Sequence, residues 1–181
     1  MDVYLPAEDS FLLANTLSKY AKSKSVLDMC TGSGILSKIA KESGASSVLA
    51  VDINKECGKE LKKHSIQFIQ SDLFSDIKKN KTFDLIICNP PYLPEDKRED
   101  KGSQLATTGG KHGDEFLIRF LKQAPKHLNK KGKILIVISS ITPLNRIKSL
   151  LKKQNMKLTE IANKPLFMEM LSVYEIKNKQ P

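Results

Sequence analysis

The sequence contains few cysteines and no paired cysteine motif. Cys30, Cys57 and Cys88 form no CxxC pair, and three cysteines fit neither a disulfide framework nor a structural zinc site. We therefore expect a protein of the reducing cytoplasm with no bound metal. Cys30 and Cys88 each end an apolar run, which favours a small buried thiol over a nucleophile.

Long apolar runs are also missing. No stretch of 18 apolar residues occurs, and the first 17 residues, MDVYLPAEDSFLLANTL, lack a basic region followed by an apolar core. Internal repeats and low-complexity segments are absent as well. These absences predict a soluble protein that is neither exported nor inserted in a membrane.

Acidic residues are outnumbered by basic ones. The chain has 30 Lys and Arg against 20 Asp and Glu, a formal charge of +10. That excess favours an acidic partner such as nucleic acid, although a lysine-rich solvated surface explains it equally well. With 181 residues, 40% of them hydrophobic, the chain suits one core, so we expect a single domain over residues 1–181.

Strand-like and helix-like patterns alternate along the chain. The helical patterns cover about 8–22, 35–43, 55–64, 114–128 and 143–154, and the strand-like runs cover about 25–30, 46–53, 65–74, 83–89, 131–140, 156–163 and 167–177. We expect the last two runs to be joined by a turn at Lys164 and Pro165. This order predicts a mostly parallel sheet with helices on both faces and an antiparallel strand at the C-terminal end. The apolar segments 47–51 and 66–69 could form an exposed edge that a partner covers.

A glycine-rich turn and an aspartate mark a candidate nucleotide site. Gly32 and Gly34, in DMCTGSG after the first strand, would let a ligand approach the backbone, although a purely structural turn explains them too. Asp52, at the end of the second strand, is placed to accept hydrogen bonds from ribose hydroxyls; alone it could equally be a helix cap. Together with its neighbour Ile53 it is assigned to the cofactor site.

Two further aspartates refine the choice of cofactor. The turn is not GxGxxG, and Asp28 just before it suggests recognition of a cationic group, as at the amino-acid end of S-adenosylmethionine. After the third strand, Asp72 fits an adenine amine and Leu73 an apolar contact to the ring. Asp72 could equally cap the turn into Leu73 and Phe74.

The fourth strand ends in the motif Asn89-Pro90-Pro91-Tyr92. Two consecutive prolines fix the backbone and present Asn89 rigidly. The Asn89 side-chain oxygen and the Pro90 carbonyl can each accept one N–H of a planar amine or amide, and Tyr92 offers a face for stacking. The long irregular segment 90–114 that begins here predicts a lid or substrate loop.

These motifs resemble a known family. VYLPAEDSFLL at 3–13, DMCTGSG, FDLIICNPPY and GGKHGDEF at 109–116 look like the HemK-type protein glutamine methyltransferases, in the short form found in archaea and eukaryotes. The resemblance spans nearly the whole chain. It implies a Rossmann-like class I fold with a seven-stranded sheet, S-adenosylmethionine as cofactor, and methylation of a glutamine amide in a peptide chain release factor.

The resemblance also carries over residues and a partner. It implies that Ser10 contacts the cofactor, that Glu8 and Asp9 neighbour the site, and that a small zinc-binding activator protein covers an apolar edge. Cys30 stands where many methyltransferases have the first glycine of the motif, and a small side chain there still admits the methionine moiety.

Other functions remain open on the sequence alone. An NPPY motif could hold the exocyclic amine of adenine or guanine in RNA or DNA, although the loop 90–114 lacks the interleaved aromatics of a stacking platform. A lysine methyltransferase and a non-catalytic S-adenosylmethionine-binding module are further alternatives. No histidine is needed as a general base, and we expect His64, His112 and His127 on the solvated surface or in loops, with His112 nearest the lid.

Overall fold

Among the described residues, the seven strands and five helices that the sequence predicts follow one another in the predicted order, and two further short strands lie inside the segment 90–114, which the sequence predicts to be irregular. The structure, a computed structural model, describes residues 3–96, 104 and 106–179. The helices are α1 (Glu8–Leu17), α2 (Ile35–Glu42), α3 (Cys57–Lys63), α4 (Glu115–Gln123) and α5 (Leu144–Lys153). The strands are β1 (Ser25–Met29), β2 (Ser47–Asp52), β3 (Gln67–Gln70), β4 (Phe83–Cys88), β5 (Leu93–Pro94), β6 (Thr108–Gly110), β7 (Leu128–Ser139), β8 (Met156–Leu166) and β9 (Glu169–Asn178), with a 3₁₀ helix at Ala124–His127.

Seven of the strands form one sheet in the order β3-β2-β1-β4-β7-β9-β8. The pairs from β3 to β7 are parallel, and β9 runs antiparallel to both of its neighbours. The predicted Rossmann-like architecture, seven strands with one antiparallel, is therefore confirmed. The strand order reverses between β1 and β4, and ligands of such sheets bind at the carboxyl ends of the strands at that point.

Alternating side chains bury the sheet on both faces. In β4, Leu85 and Ile87 pack with α1 and α2, whereas Ile86 and Cys88 pack on the opposite face with α4 and α5. Because successive side chains of a strand point to opposite faces, a strand covered on both sides must be apolar throughout. This is why the sheet centre appears in the sequence as continuous apolar runs.

Several boundaries differ from the predictions. Lys164 and Pro165 lie inside β8, and the turn falls at Phe167 and Met168 instead, because the β8–β9 ladder continues to Leu166. The helix predicted over 8–22 ends at Leu17 and continues only as a turn.

The prediction of an exposed sheet edge is correct for one of its two segments. The segment 66–69 contributes the edge strand β3, but 47–51 belongs to β2, which pairs with β1 on one side and β3 on the other. Within the described ranges no helix is both long and apolar enough to cross a membrane.

Candidate active site

A cavity of about 550 Å³ opens at the carboxyl ends of β1, β2 and β4. This volume lies in the range of small-molecule and cofactor sites. Ten of the residues predicted for the site line it: Cys30, Gly32, Asp52, Ile53, Asp72, Leu73, Asn89, Pro90, Pro91 and Tyr92. The carboxyl ends of four strands, that of β3 included, thus meet around the switch point.

The turn after β1 forms one wall of the cavity. Cys30 and Gly32 both have positive φ angles, 61° and 51°, in the left-handed region that glycine adopts without strain. The backbone at Cys30 thus explains why a glycine is common at this position in related motifs. A hydrogen bond with Cys88 and burial raise the pKa of Cys30 well above its ordinary value, which favours the neutral thiol.

Gly34, in contrast, does not line the cavity as predicted. Its φ is 78°, it begins α2, and an added Cβ would lie 2.6 Å from Cδ2 of Leu61 in α3. The glycine is therefore needed for helix packing on the far side of the turn, and a ligand contact at its backbone stays a prediction that the lining residues do not support.

Asp28 is also withdrawn from the cavity. Its side chain is fully buried, and Oδ2 accepts hydrogen bonds of 2.6 Å from both Thr31 Oγ1 and Ser37 Oγ. Burial raises the pKa of Asp28 to about 6, although these two hydrogen bonds oppose the shift. Through these hydrogen bonds the carboxylate stabilises the turn. Asp28 is not among the residues that line the cavity, so its direct contact with a cationic group of the cofactor stays a prediction without support from the lining.

Asp52 faces the cavity with a fixed carboxylate. Oδ2 accepts the Gly32 N–H and Oδ1 accepts the Asn54 N–H, both at 2.9 Å. Asp52 does not cap the helix that follows, because α3 begins only at Cys57 and has no side-chain cap hydrogen bond. Each carboxylate oxygen keeps a second acceptor site after its backbone bond, so the ribose interpretation stays a prediction. These two hydrogen bonds from backbone N–H groups fix the carboxylate beside the glycine turn.

Apolar and charged side chains form the next wall. Ile53 is 48% exposed, a high value for a large apolar residue, and Leu73 is buried, with a positive φ of 53° that turns its backbone. Asp72 pairs with Arg119 of α4, Oδ2 to Nη2 at 2.7 Å. Asp72 is thus an ion-pair partner at the cavity rim, and its side chain makes no capping bond to Leu73 or Phe74 among the described contacts.

The orientation of the Asn89 amide is set from behind by Ser10. Asn89 Nδ2 lies 3.2 Å from Ser10 Oγ, which donates its only hydrogen to Asp9 Oδ1 at 3.1 Å. Ser10 can therefore only accept from Asn89, so the amide nitrogen must face Ser10. The other end of the amide, Oδ1, is a buried acceptor without a partner in the described part of the chain. Ser10 itself is buried behind the cavity and does not line it, unlike the contact that the resemblance implies.

Asp9 organises a second hydrogen-bonded group at the cavity wall. Its Oδ2 accepts from Tyr4 Oη at 3.0 Å and from Tyr92 Oη at 3.1 Å. Burial and the Asp9 carboxylate raise the pKa of both phenols, which keeps them protonated as donors. Tyr92 is thus held through its side chain by Asp9 and through its backbone by Thr142, whose Oγ1 donates to the Tyr92 carbonyl at 3.1 Å.

Sequence reasoning missed part of the lining. Tyr4 precedes the helix, and Phe116 and Arg119 lie on one side of α4, three residues apart. The three-residue spacing of Phe116 and Arg119 on a predicted helix indicates that they share one face of that helix. The sequence does not show that this face meets the cavity.

The predicted lid contributes its two ends to the cavity. Leu93 in β5 and Thr108 in β6 pair in a two-stranded parallel sheet, and both line the cavity with Gln104. Residues 97–103 and 105 of the predicted lid lie outside the described residues.

The histidines take different positions from one another. His64 and His112 are exposed, but His127 is buried, contrary to the prediction: its ring stacks on Phe74 at 4.7 Å and its Nδ1 lies 2.8 Å from the Lys81 carbonyl. His127 therefore packs as part of the core and does not line the cavity. Among residues 3–96, 104 and 106–179, no group of three or more His, Cys, Asp or Glu side chains could hold a metal ion.

Comparison with known proteins agrees with this geometry. The model of the methyltransferase small domain family matches residues 8–168. A Methanocaldococcus jannaschii protein named as a protein N5-glutamine methyltransferase is 39% identical over 161 residues, covering 82% of this chain and 80% of the relative. The human methyltransferase HEMK2 is 30% identical over 188 residues, 95% of this chain and 88% of the human one.

A solved structure shares the fold. It is the E. cuniculi Mtq2–Trm112 complex, responsible for methylation of the translation termination factor eRF1, with a TM-score of 0.78 and 21% identity over 99% of this chain and 100% of that chain.

Fold, glycine turn and NPPY cavity together define an S-adenosylmethionine-dependent methyltransferase. More narrowly, the chain belongs to the methyltransferase small domain family and, within it, to the HemK-type methyltransferases. The resemblance found in the sequence is thereby confirmed.

Proposed function

We propose that this enzyme methylates the side-chain amide nitrogen of a glutamine in a translation release factor. The observation that carries the proposal is the buried, partnerless Oδ1 of Asn89 at the cavity, on an amide whose orientation Ser10 sets. A buried acceptor without a donor is costly, and because Asn89 lines the cavity, a substrate N–H can supply the missing donor. The relatives named above, a protein N5-glutamine methyltransferase among them, support glutamine as the source of that N–H.

Cofactor binding falls to the other walls of the cavity. S-adenosylmethionine supplies the methyl group from its sulfonium. Asp52 would accept the ribose hydroxyls, Ile53 and Leu73 would enclose the adenine, and Asp72 would stand at its amine, while Cys30 and Gly32 leave room for the methionine part. The chemistry of these acceptors and apolar faces fits a charged nucleoside better than a dinucleotide, because the turn is not GxGxxG.

Substrate binding falls to Asn89, Pro90, Pro91 and Tyr92. A glutamine amide nitrogen is a poor nucleophile because its lone pair is delocalised into the carbonyl. Asn89 Oδ1 and the Pro90 carbonyl would each accept one N–H, which holds the nitrogen in one orientation. The same acceptors stabilise positive charge that develops on nitrogen.

Tyr92 and Asp9 would complete this environment. The Tyr92 ring, fixed by its bond to Asp9, offers a flat face to the planar amide. The Asp9 carboxylate stands behind both Tyr92 and Ser10, which places negative charge one hydrogen bond behind the substrate contacts. No histidine lines the cavity among the described residues, so we expect the released proton to pass to water.

A small partner protein would cover the edge strand β3. Phe68 and Ile69 in this strand are half-buried, and its outer backbone groups have no neighbouring strand in the described sheet. The related E. cuniculi enzyme was solved in complex with Trm112. A zinc-binding activator at this edge would pair with β3 and shield those groups. We propose further that residues 1–181 form a single domain that acts in the cytoplasm.

The test is a methyl-transfer assay with radiolabelled S-adenosylmethionine. Release factor, its loop Gln→Ala variant, ribosomal RNA and duplex DNA are offered in parallel, with and without the activator protein. Label on the release factor that disappears with the Gln→Ala variant supports the proposal. Label on RNA or DNA alone would show that NPPY here holds a base amine and would overturn the substrate assignment.

A further inference from the structure

Lysines are concentrated at the end of the sheet that lies opposite the cavity. Residues that precede the parallel strands meet at the amino edge of the sheet, just as the catalytic loops meet at the carboxyl edge. Lys22 and Lys24 directly precede β1, and Lys79 and Lys81 precede β4, the neighbouring strand. All four side chains are exposed.

The next strand continues this row. Phe83 of β4 pairs with Leu128 of β7, but Leu85 pairs with Lys133, so three more residues of β7 than of β4 are accommodated between the two pairs. This bulge contains Lys130 and Lys131, both exposed. We name Lys22, Lys24, Lys79, Lys81, Lys130 and Lys131 the lysine edge. Since adjacent strands lie about 4.8 Å apart, it extends over about 10 Å across three strands.

The lysine edge rests on a rigid support. Asp84 of β4 accepts hydrogen bonds from the N–H and Oγ of Ser25 in β1 and from Nδ2 of Asn129 in β7, at 2.7 to 3.0 Å. One carboxylate thus ties together the starts of the three strands that present the lysines. Its oxygens are occupied by these donors, and no lysine of the edge forms an ion pair among the described residues.

Nearby carboxylates neutralise the edge only in part. Glu175 pairs with Lys133 at 2.6 Å and with Lys177 at 2.8 Å, so its charge is already balanced. Glu42, at the end of α2, is exposed, and Lys22 lies close to Gly44, two residues beyond Glu42. Asp84 adds a negative charge at the edge, since hydrogen bonds from Ser25 and Asn129 and the charge of Lys24 lower its pKa. The six exposed lysines outnumber these three carboxylates.

Large apolar side chains are not exposed beside these lysines. Those exposed in the described chain are Leu5, Phe11, Ile53, Ile141, Phe167, Met168 and Met170, which precede or belong to α1, follow carboxyl strand ends, or form the β8–β9 turn. A protein interface has an apolar core, and a membrane-surface site needs an apolar face. A row of cations with neither an apolar core nor an apolar face beside it fits a ligand that carries regularly spaced negative charges.

We propose that the lysine edge binds the phosphate backbone of nucleic acid, without reading its sequence, on the side of the enzyme away from the active site. Lysines act on phosphates as point charges, so the contact needs no shaped pocket. The enzyme would hold a nucleic acid at one end of its sheet while its cavity stays open to a protein substrate at the other. This inference does not depend on which residue is methylated.

The test compares two variants of equal charge. Lys79→Gln/Lys81→Gln/Lys130→Gln/Lys131→Gln removes four lysines of the edge, and Lys59→Gln/Lys62→Gln/Lys148→Gln/Lys152→Gln removes four exposed helix lysines elsewhere. Binding of a fluorescent 20-nucleotide single-stranded RNA is measured by anisotropy from 50 to 300 mM NaCl. The Lys130→Gln/Lys131→Gln double variant, confined to the bulge, replaces the quadruple variant if that one melts early.

Two results would support the inference together. The wild type should bind the RNA with a strong salt dependence, and the edge variant should lose about ten-fold or more in affinity, with a slope shallower by about 0.7 for each lost contact. The helix variant should change by less than about two-fold, and methyl transfer should be unchanged in both. Equal loss in the two variants, no salt-dependent RNA binding, or binding to anionic phosphatidylserine vesicles in place of RNA would each overturn it.

Discussion

The hydrogen bond between Ser10 and Asn89 offers the sharpest test of the proposed site. Asn89→Ala removes the buried acceptor, and loss of one preorganised group that stabilises developing charge costs about 3 kcal/mol, or about 10²- to 10³-fold in kcat. Ser10→Ala leaves the acceptor in place but strips Asn89 Nδ2 of its partner at 3.2 Å. A buried donor left unsatisfied costs about 1–3 kcal/mol, which the amide can relieve by rotating out of its productive orientation.

The two substitutions should therefore act as one unit. We expect Ser10→Ala to lower kcat by about ten- to a hundred-fold, and the double variant to be no worse than Asn89→Ala alone. Single-turnover methyl transfer at saturating cofactor measures the rates, and calorimetry with S-adenosylhomocysteine measures cofactor affinity, which should change little in each variant. Ser18→Ala, an exposed serine beyond the end of the same helix, is the matched control.

A further loss when Ser10→Ala is added to Asn89→Ala would refute this reasoning. So would a fall in cofactor affinity with Ser10→Ala alone, since that result would mean that Ser10 contacts the cofactor directly. Thermal melts of all four proteins are needed, so that a change in stability is not read as a change in catalysis.

Three other predictions concern the cofactor wall and the turn. Asp52→Ala should weaken cofactor binding by about ten- to a hundred-fold, because it removes charged hydrogen-bond acceptors, and calorimetry showing unchanged affinity would contradict its role. Burial raises the pKa of Asp28 to about 6, above its value near 4 in the unfolded chain. Above pH 6 the buried carboxylate is ionised and lowers the free energy of unfolding by about 3 kcal/mol. This loss of stability disappears as the pH falls from 6 to 4, because the folded protein then binds the proton. Unfolding of Asp28→Asn across that window should depend less on pH than wild type, and an identical slope would count against the shift. Gly34→Ala should destabilise the fold more than Gly44→Ala. Both glycines have φ near 80°, but only at position 34 would the new Cβ lie 2.6 Å from the Leu61 side chain. Equal melting temperatures of the two variants would show that the helices adjust.

The order of strands and helices follows from patterns that are local in the chain. Apolar runs such as FDLIIC must be buried on both faces, and helical spacing between them forces parallel pairing with crossovers. The glycine turn and NPPY follow strand ends, and all parallel strand ends meet at one edge. This is why Asp52, Asn89 and Tyr92 could be assigned to one site from the sequence.

The exceptions lie where a side chain could point to either side of the backbone. Gly34 and Asp28 flank the same turn as Gly32, yet packing against Leu61 and hydrogen bonds from Ser37 direct them away from the cavity. The sequence does not reveal these contacts, because the partners come from other turns and helices. For the same reason His127, predicted at the surface, is buried against Phe74.

What the sequence determined by itself was the class of fold, the family, and the short motifs at the strand ends, because each depends on residues close together in the chain. Only the tertiary structure decided that Ser10 sets the Asn89 amide and does not reach the cavity, that β2 is interior while β3 is the edge, and that lysines from three separate segments form one row. Each of these three features depends on which segments become neighbours in the folded chain and on which hydrogen bonds and contacts their side chains then form.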